Sequence, residues 1–197
     1  MYNSKRNLFN ERKTIQLVRT SRMICKTGWI GKAKRAGGKK LYRILAFSDT
    51  HGDTSLCFDW LERIPGVDLI LHAGDIIRDA EDLAAVYPQT EYVSGNNDYA
   101  RFAPMEKMLF CEDKKLFLTH GHTFGVKYGL KTIATAARVK AAQICVFGHT
   151  HVPYCGYEDG VLLVNPGSAS GRYASAATCA VIEIEQGKIC ADILTME

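Results

Sequence analysis

From Leu41 onward the chain is predicted to form a mixed α/β layered fold. Apolar runs of strand length alternate with segments of helical periodicity, and paired strands follow from Tyr154 to the end. Five of the apolar runs also stop at residues able to bind a metal, which sets these turns apart from ordinary loops.

"LYRILAF" (41–47) reads as a buried strand, because Ile44–Phe47 is a continuous apolar run rather than an alternating one. "DTSLCFDWLERI" then places Leu56, Trp60, Leu61 and Ile64 at helical spacing, and Pro65-Gly66 stops it. "VDLILHAGD" is the second strand, "RDAEDLAAVY" a short helix ahead of Pro88, and "EYVSGN" the third strand. "KLFLTHG" is a further strand, "KYGLKTIATAARVKA" the longest helix, and "AQICVFGH" another strand. "YCGYEDGVLLVNPGS" is a hairpin with Asp159-Gly160 as a type I′ turn, and "ATCAVIEIEQGKICADILTM" is a second one turned at Gln186-Gly187.

Composition bounds the remaining choices. A chain of 197 residues with 47% hydrophobic content can bury one substantial core. No run reaches the roughly eighteen consecutive apolar residues of a membrane helix. The N-terminus has no apolar core of a secretory signal, so a cytoplasmic location is expected. Seven cysteines, odd in number and without a CxxC pair, fit free thiols in a reducing compartment, most of them small buried apolar groups.

Charge divides the chain in two. Residues 1–40 hold 12 of the 25 Lys+Arg and 1 of the 21 Asp+Glu, a balance of +11, whereas residues 41–197 carry −7. So charged a segment buries too little apolar surface to offset its ordering entropy, and a disordered basic extension is expected over 1–40, with one domain over 41–197. A nucleic-acid or anionic-membrane arm and an organelle-targeting presequence are alternative readings of the extension. The preferred reading is a dispensable extension, with a start at Leu41 giving a compact domain that opens directly on a strand.

The polar residues at the strand ends carry more information than the elements. Ile44–Phe47 runs into Asp49 and His51, Leu69–Leu71 into Asp75, Tyr92-Val93 into Asn96, Leu116–Leu118 into His120, and Ile144–Phe147 into His149 and His151. In α/β sheets the C-terminal strand ends open onto the crevice where ligands bind, so residues far apart in sequence converge there. Gly52, Gly74, Gly95, Gly121 and Gly148 stand beside them, where the backbone must turn or approach closely. A single such His or Asp is more often a turn residue. An ordered series is not explained that way.

"SDTHGD", "HAGD", "SGNND", "THGH" and "FGHTH" occur in that order, and the series resembles the calcineurin-like metallophosphoesterase superfamily over residues 42–194. Short length, the lack of an inserted cap and the closing "NPGS" make it similar to the small single-domain bacterial and archaeal phosphodiesterase branch. The resemblance implies a two-sheet αββα sandwich. It also implies two divalent metal ions, Mn²⁺ first, with Fe, Zn²⁺ or Ni²⁺ as alternatives. Asp49, His51, Asp75 and His151 would hold one ion, and Asp75, Asn96, His120 and His149 the other. A water or hydroxide held between the ions would attack the phosphorus of a small phosphoester in line, with the charge on the non-bridging oxygens stabilised by both metals and by Asn96 as a catalytic residue.

One departure concerns the acid. Larger family members read G-N-H-E, where this chain has Gly95-Asn96-Asn97-Asp98. Asn97 cannot donate a proton as a histidine does; its amide is a candidate contact to a phosphate oxygen, and Asp98 a brace for the loop. His122 is the replacement candidate for the acid, and His72 a support for a ligand. Arg172 and Tyr173 are candidate substrate contacts against the plainer reading of a solvated loop. The alternative to an enzyme is a non-catalytic interaction scaffold, as a retromer subunit with this fold is; a complete set of seven ligand-type residues argues against it. Substrate identity and oligomeric state are not legible in the sequence.

Overall fold

A computed structural model describes residues 41–99 and 102–197, so the expectations for the basic segment 1–40 lie outside the described residues. Two five-stranded mixed sheets pack face to face. The first has the order β10-β9-β1-β2-β3, with β1 (Leu41–Phe47), β2 (Leu69–His72) and β3 (Thr90–Tyr92) parallel, and β9 (Ala177–Glu185) and β10 (Lys188–Met196) antiparallel. The second has the order β4-β5-β6-β8-β7. Its centre is parallel, formed by β5 (Lys114–Thr119), β6 (Ile144–Val146) and β8 (Val161–Asn165). β4 (Glu106–Cys111) and β7 (Tyr154–Glu158) flank it antiparallel.

Strand alternation makes three apolar layers from these sheets. Ile44, Ala46, Leu71 and Ile182 from one sheet meet Leu116, Leu118, Ile144, Val146 and Val164 from the other. Leu45, Phe47, Ile70 and Val181 face outward onto Cys57, Trp60 and Leu61 of α1 (Ser55–Arg63) and Leu83 of α2 (Ile77–Val86). Phe117, Cys145 and Leu163 face outward onto Ile133, Ala134 and Ala137 of α3 (Lys131–Val139). Strands buried on both sides explain why "LYRILAF" shows no alternation. Each fully buried large side chain contributes roughly 1.5–3 kcal/mol. The result is the αββα sandwich the resemblance implies.

Two readings of the sequence are corrected. The helix expected over 127–141 begins only at Lys131 and, at nine residues, is shorter than the ten of α2. Gly129, at φ 156°, breaks the path, and the residues before it close a separate turn through Tyr128 N–H to the Gly125 carbonyl. The strand β4 was not foreseen. It is an edge strand whose residues alternate exposed and covered, and it joins β5 through a tight turn in which Glu112 has φ 55°. The hairpin expectations hold: Asp159 and Gly160 have φ 50° and 82°, and Gln186 and Gly187 have φ 54° and 75°, positive throughout as a type I′ turn requires.

Cys57, Cys111, Cys145, Cys155 and Cys179 are free thiols. Burial pushes the Cys111 thiol up to about 11 and the Cys145 and Cys179 thiols higher still, so they act as small apolar groups. Among the described residues no helix is long and apolar enough to cross a membrane.

Candidate metal centre

The strand ends of both sheets open to the same side, and the predicted residues meet there. Ligand atoms of Asp49, His51, Asp75 and His151 all lie within 4.8 Å of one another. His51 Nε2 stands 3.2 Å from His151 Nε2 and 4.0 Å from Asp75 Oδ2. Asp75 turns its other oxygen to the opposite sheet, where Oδ1 is 3.3 Å from His120 Nε2. His120 Nε2 is in turn 3.1 Å from Asn96 Oδ1, and the His149 ring lies 5.1 Å from the His120 ring between centroids. Asp75 therefore stands between two groups of ligand-type atoms.

Hydrogen bonds on the far side of two imidazoles show which atoms face inward. His120 Nδ1 lies 2.8 Å from the Ala73 carbonyl, and His151 Nδ1 lies 3.0 Å from the Arg172 carbonyl. A carbonyl only accepts, so both Nδ1 atoms carry hydrogen and the neutral rings turn an Nε2 lone pair toward the centre. There the His151 lone pair meets Asp49 Oδ1 at 3.2 Å. That buried carboxylate oxygen accepts no well-aligned hydrogen bond among the described residues. Lone pairs aimed at each other in a buried place need a positive charge between them. A proton on His151 would serve, since the Asp49 carboxylate facing that ring raises its pKa, and a divalent cation serves all the donors at once. Burial pushes Asp49 upward, but the His151 ring against it and the nearby His120 outweigh burial and hold the carboxyl below its ordinary value. Burial and the neighbouring His120 push the His149 ring down to about 4, so it presents a free lone pair at neutral pH. Oxygen and imidazole donors without thiolate fit Mn²⁺, Fe, Ni²⁺ or Zn²⁺.

Backbone strain supports this geometry. Asp49, His51, Asp75, His149 and His151 all have φ between 49° and 69°, a region costly for residues other than glycine. Close approach explains two of the neighbouring glycines, Gly95 and Gly148, neither of which needs a positive φ. A Cβ at Gly95 would overlap the Asp75 carboxylate, and one at Gly148 would overlap Ser48 Oγ and Asp49 Oδ2.

The remaining candidates divide by position. Asn97 donates through Nδ2 to Asp75 Oδ2 at 2.7 Å and through its backbone N–H to Oδ1 at 3.2 Å, so its amide is engaged with the carboxylate between the two groups. Asp98 accepts from the Gly95 and Ile77 N–H groups and ties the loop to the start of α2. His122 stands beside the site, its ring 5.4 Å from that of His120 and 6.0 Å from that of His149, with Nδ1 buried and without a hydrogen-bond partner. Burial, with His120 adding to it, pushes its pKa down.

Asn165 and Ser168 were read only as part of "NPGS", and the structure shows what they hold. Asn165 Nδ2 donates to the Gly148 carbonyl at 2.9 Å and its Oδ1 accepts from the Gly167 N–H. Ser168 Oγ donates to the Asp49 carbonyl at 2.9 Å. The loop thus fastens the turns bearing Asp49 and His149 to each other. A buried polar residue after an apolar strand was the available signal.

His72 is fully buried between ligand loops, accepting at Nδ1 from the Gly74 N–H (3.3 Å) and leaving Nε2–H to donate to Thr50 Oγ1 (3.1 Å). Burial lowers its pKa from 6.5 to about 4. An unfolded chain would take up the proton first, so this stabilisation is complete above the unfolded value and is lost as pH falls through the window down to the folded one. Linkage gives a loss of about 2 kcal/mol between about pH 7.5 and about pH 5. His72→Gln, which does not titrate, should be less stable at the upper pH and lose correspondingly less on acidification. Denaturant unfolding of both proteins at the two pH values checks this, and equal acid losses would remove His72 as the cause.

Two packed mixed sheets whose joined strand ends gather Asp, His and Asn donors define a metal-dependent hydrolase of phosphoric esters. The chain belongs to the calcineurin-like phosphoesterase superfamily, whose domain model matches residues 42–187. It is similar to "Probable metallophosphoesterase YsnB" of Bacillus subtilis (strain 168), 33% identical over 129 residues that cover 64% of this chain and 73% of that one. It is also similar to "Phosphodiesterase MJ0936" of Methanocaldococcus jannaschii, 27% identical over 139 residues, covering 61% and 78%. Among solved structures, a predicted phosphoesterase from Streptococcus pneumoniae TIGR4 superposes with a TM-score of 0.68 at 28% identity, covering 79% of this chain and 90% of that one. Vacuolar Protein Sorting 29 from Cryptosporidium parvum shares the fold, with a TM-score of 0.65 at 18% identity and coverage of 80% and 99%.

Proposed function

We propose that the chain is a phosphodiesterase acting on small phosphoesters with two divalent ions, Mn²⁺ first among them. The observation that carries this reading is the Asp75 carboxylate, whose Oδ2 faces His51 at 4.0 Å and whose Oδ1 faces His120 at 3.3 Å. Asp49, His51 and His151 complete the first group of donors, and Asn96, His120 and His149 the second. Bound divalent ions supply Lewis acidity toward phosphoryl oxygens and a water nucleophile at neutral pH. The residues fix where that chemistry happens. Asn97 holds the Asp75 plane, the Ala73 and Arg172 carbonyls fix the His120 and His151 tautomers, and Asn165 with Ser168 keeps the two sheets' loops in register.

Selectivity follows from what surrounds the centre. Asn97 is engaged with Asp75 and cannot donate a proton in the manner of a histidine, which leaves His122 as the candidate acid. Since general-acid help is worth about 10²- to 10⁴-fold where it is needed, its weakness disfavours poor leaving groups. Protein reconstituted with Mn²⁺ should therefore hydrolyse an aryl phosphodiester at least about tenfold faster than an alkyl phosphomonoester. Chelation should abolish the activity, and elemental analysis should find close to two ions per chain, as a two-metal centre requires. A preference for alkyl monoesters would reject the diesterase reading, and protein that binds no divalent ion would reject the metal assignment.

A further inference from the structure

Beside the His51 and His151 rings stands a side chain that the proposed metal centre does not use. Tyr173 lies on the loop after β8, 84% exposed, with its ring centroid 6.3 Å from that of His51 and 6.0 Å from that of His151. The contact with His51 is edge-on and that with His151 tilted. Its backbone is strained, since φ is 61° for a bulky residue at the third position of a turn closed by the Ala174 N–H on the Gly171 carbonyl. Glycine or asparagine suits that position, and an exposed tyrosine gains no burial there to offset the strain.

The loop itself is fastened to the centre. The Arg172 carbonyl fixes His151, Arg172 Nη1 lies 3.4 Å from the His51 carbonyl, and Ser170 Oγ donates to the Asp49 carbonyl at 3.3 Å. The loop that carries Tyr173 is thereby fastened beside the His51 and His151 rings. On the other side of the mouth the exposed Lys127 ammonium is near enough to depress His149. A flat aromatic face beside a metal centre, with cationic side chains at the rim, suits an anionic diester that carries a planar ring.

We propose that Tyr173 is a specificity-determining residue that stacks on a planar group, aryl or nucleobase, carried by the part of the phosphodiester that does not depart. This inference rests on the diesterase reading above, and its test is built so that the two fail separately. Three para-nitrophenyl diesters share one leaving group and differ in the other substituent: methyl, phenyl and thymidine. Tyr173→Ala should raise KM by about tenfold for the phenyl and thymidine esters and leave the methyl ester within about twofold, as a lost stacking contact predicts. Tyr173→Phe should keep the wild-type pattern. Tyr173→Asn, which accepts the left-handed backbone, should match Tyr173→Ala, separating the ring from the strain. A response of the phenyl ester alone supports the platform for simple aryl groups, and a response of the thymidine ester alone supports it for nucleobases. Equal losses on all three esters, or none, would overturn the proposal. Calorimetric binding of diphenyl phosphate against dimethyl phosphate, to wild type and to Tyr173→Ala, reads the platform without turnover. If the wild type cleaves none of the esters, the diesterase reading falls, and a diphenyl preference lost in Tyr173→Ala still upholds the stacking site; no preference removes it.

Discussion

Asp75→Asn is expected to lower hydrolysis of an aryl phosphodiester by on the order of 10³-fold, more than any other single change at a ligand-type position. The carboxylate turns one oxygen toward each donor group, at 4.0 Å from His51 and 3.3 Å from His120. An amide of the same shape keeps one acceptor oxygen, loses the negative charge, and turns an N–H donor toward one of the two groups. Both ions should bind more weakly, so the metal content of the purified variant should fall together with its activity. His51→Ala, by contrast, touches only the first group and should leave part of the second ion in place. Retention of two ions and of more than about a tenth of the activity by Asp75→Asn would show that the carboxylate does not join the sites.

Gly95→Ala should be nearly as damaging, although it changes no polar atom. Gly95 has no left-handed φ to preserve, so the objection to alanine is steric alone. Its Cβ would enter the volume of the Asp75 carboxylate and press on the Asp75 backbone nitrogen, while the Gly95 N–H is held by Asp98 at 2.8 Å. Neither side can yield cheaply, since Asp75 is also fastened by Asn97. Displacing a ligand by about 1 Å costs on the order of 10²-fold, and activity should fall by at least that much with the far-ultraviolet circular dichroism unchanged. Normal activity in a folded Gly95→Ala protein would mean that the loop relaxes in a way the packing does not suggest.

The layered α/β class and the gathering of Asp49, His51, Asp75, Asn96, His120, His149 and His151 at the strand ends were both legible in the residue pattern, for one physical reason, whereas the αββα sandwich came from the family resemblance. Continuous apolar runs must be strands buried on both faces, and a residue that ends such a run is carried to the edge of the sheet whichever strand lies beside it. The positions of both hairpin turns were legible because Asp159-Gly160 and Gln186-Gly187 meet a purely local demand for positive φ. Edge strand β4 was not, since "EKMLFC" is half exposed and is a strand only because β5 offers it a partner. The true start of α3 was missed because the residues ahead of Gly129 satisfy their hydrogen bonds in a separate turn.

Within the site the division is finer. Residue types and their order belong to the sequence, and they determined which side chains reach the crevice. Only the tertiary structure decided how each is held: the Ala73 and Arg172 carbonyls select the imidazole tautomers, Asn97 turns onto Asp75 instead of standing free, and Asn165 and Ser168 bind loops from different sheets. The left-handed backbone of five ligand-type residues belongs to this second class as well. Nothing in Asp or His demands that conformation, and it persists because contacts between the two sheets over-determine the loops that carry them. A local pattern announces which donors are present; the directions of their lone pairs are set by partners as far as 47 residues away, as the contact of the His120 ring with the Ala73 carbonyl shows.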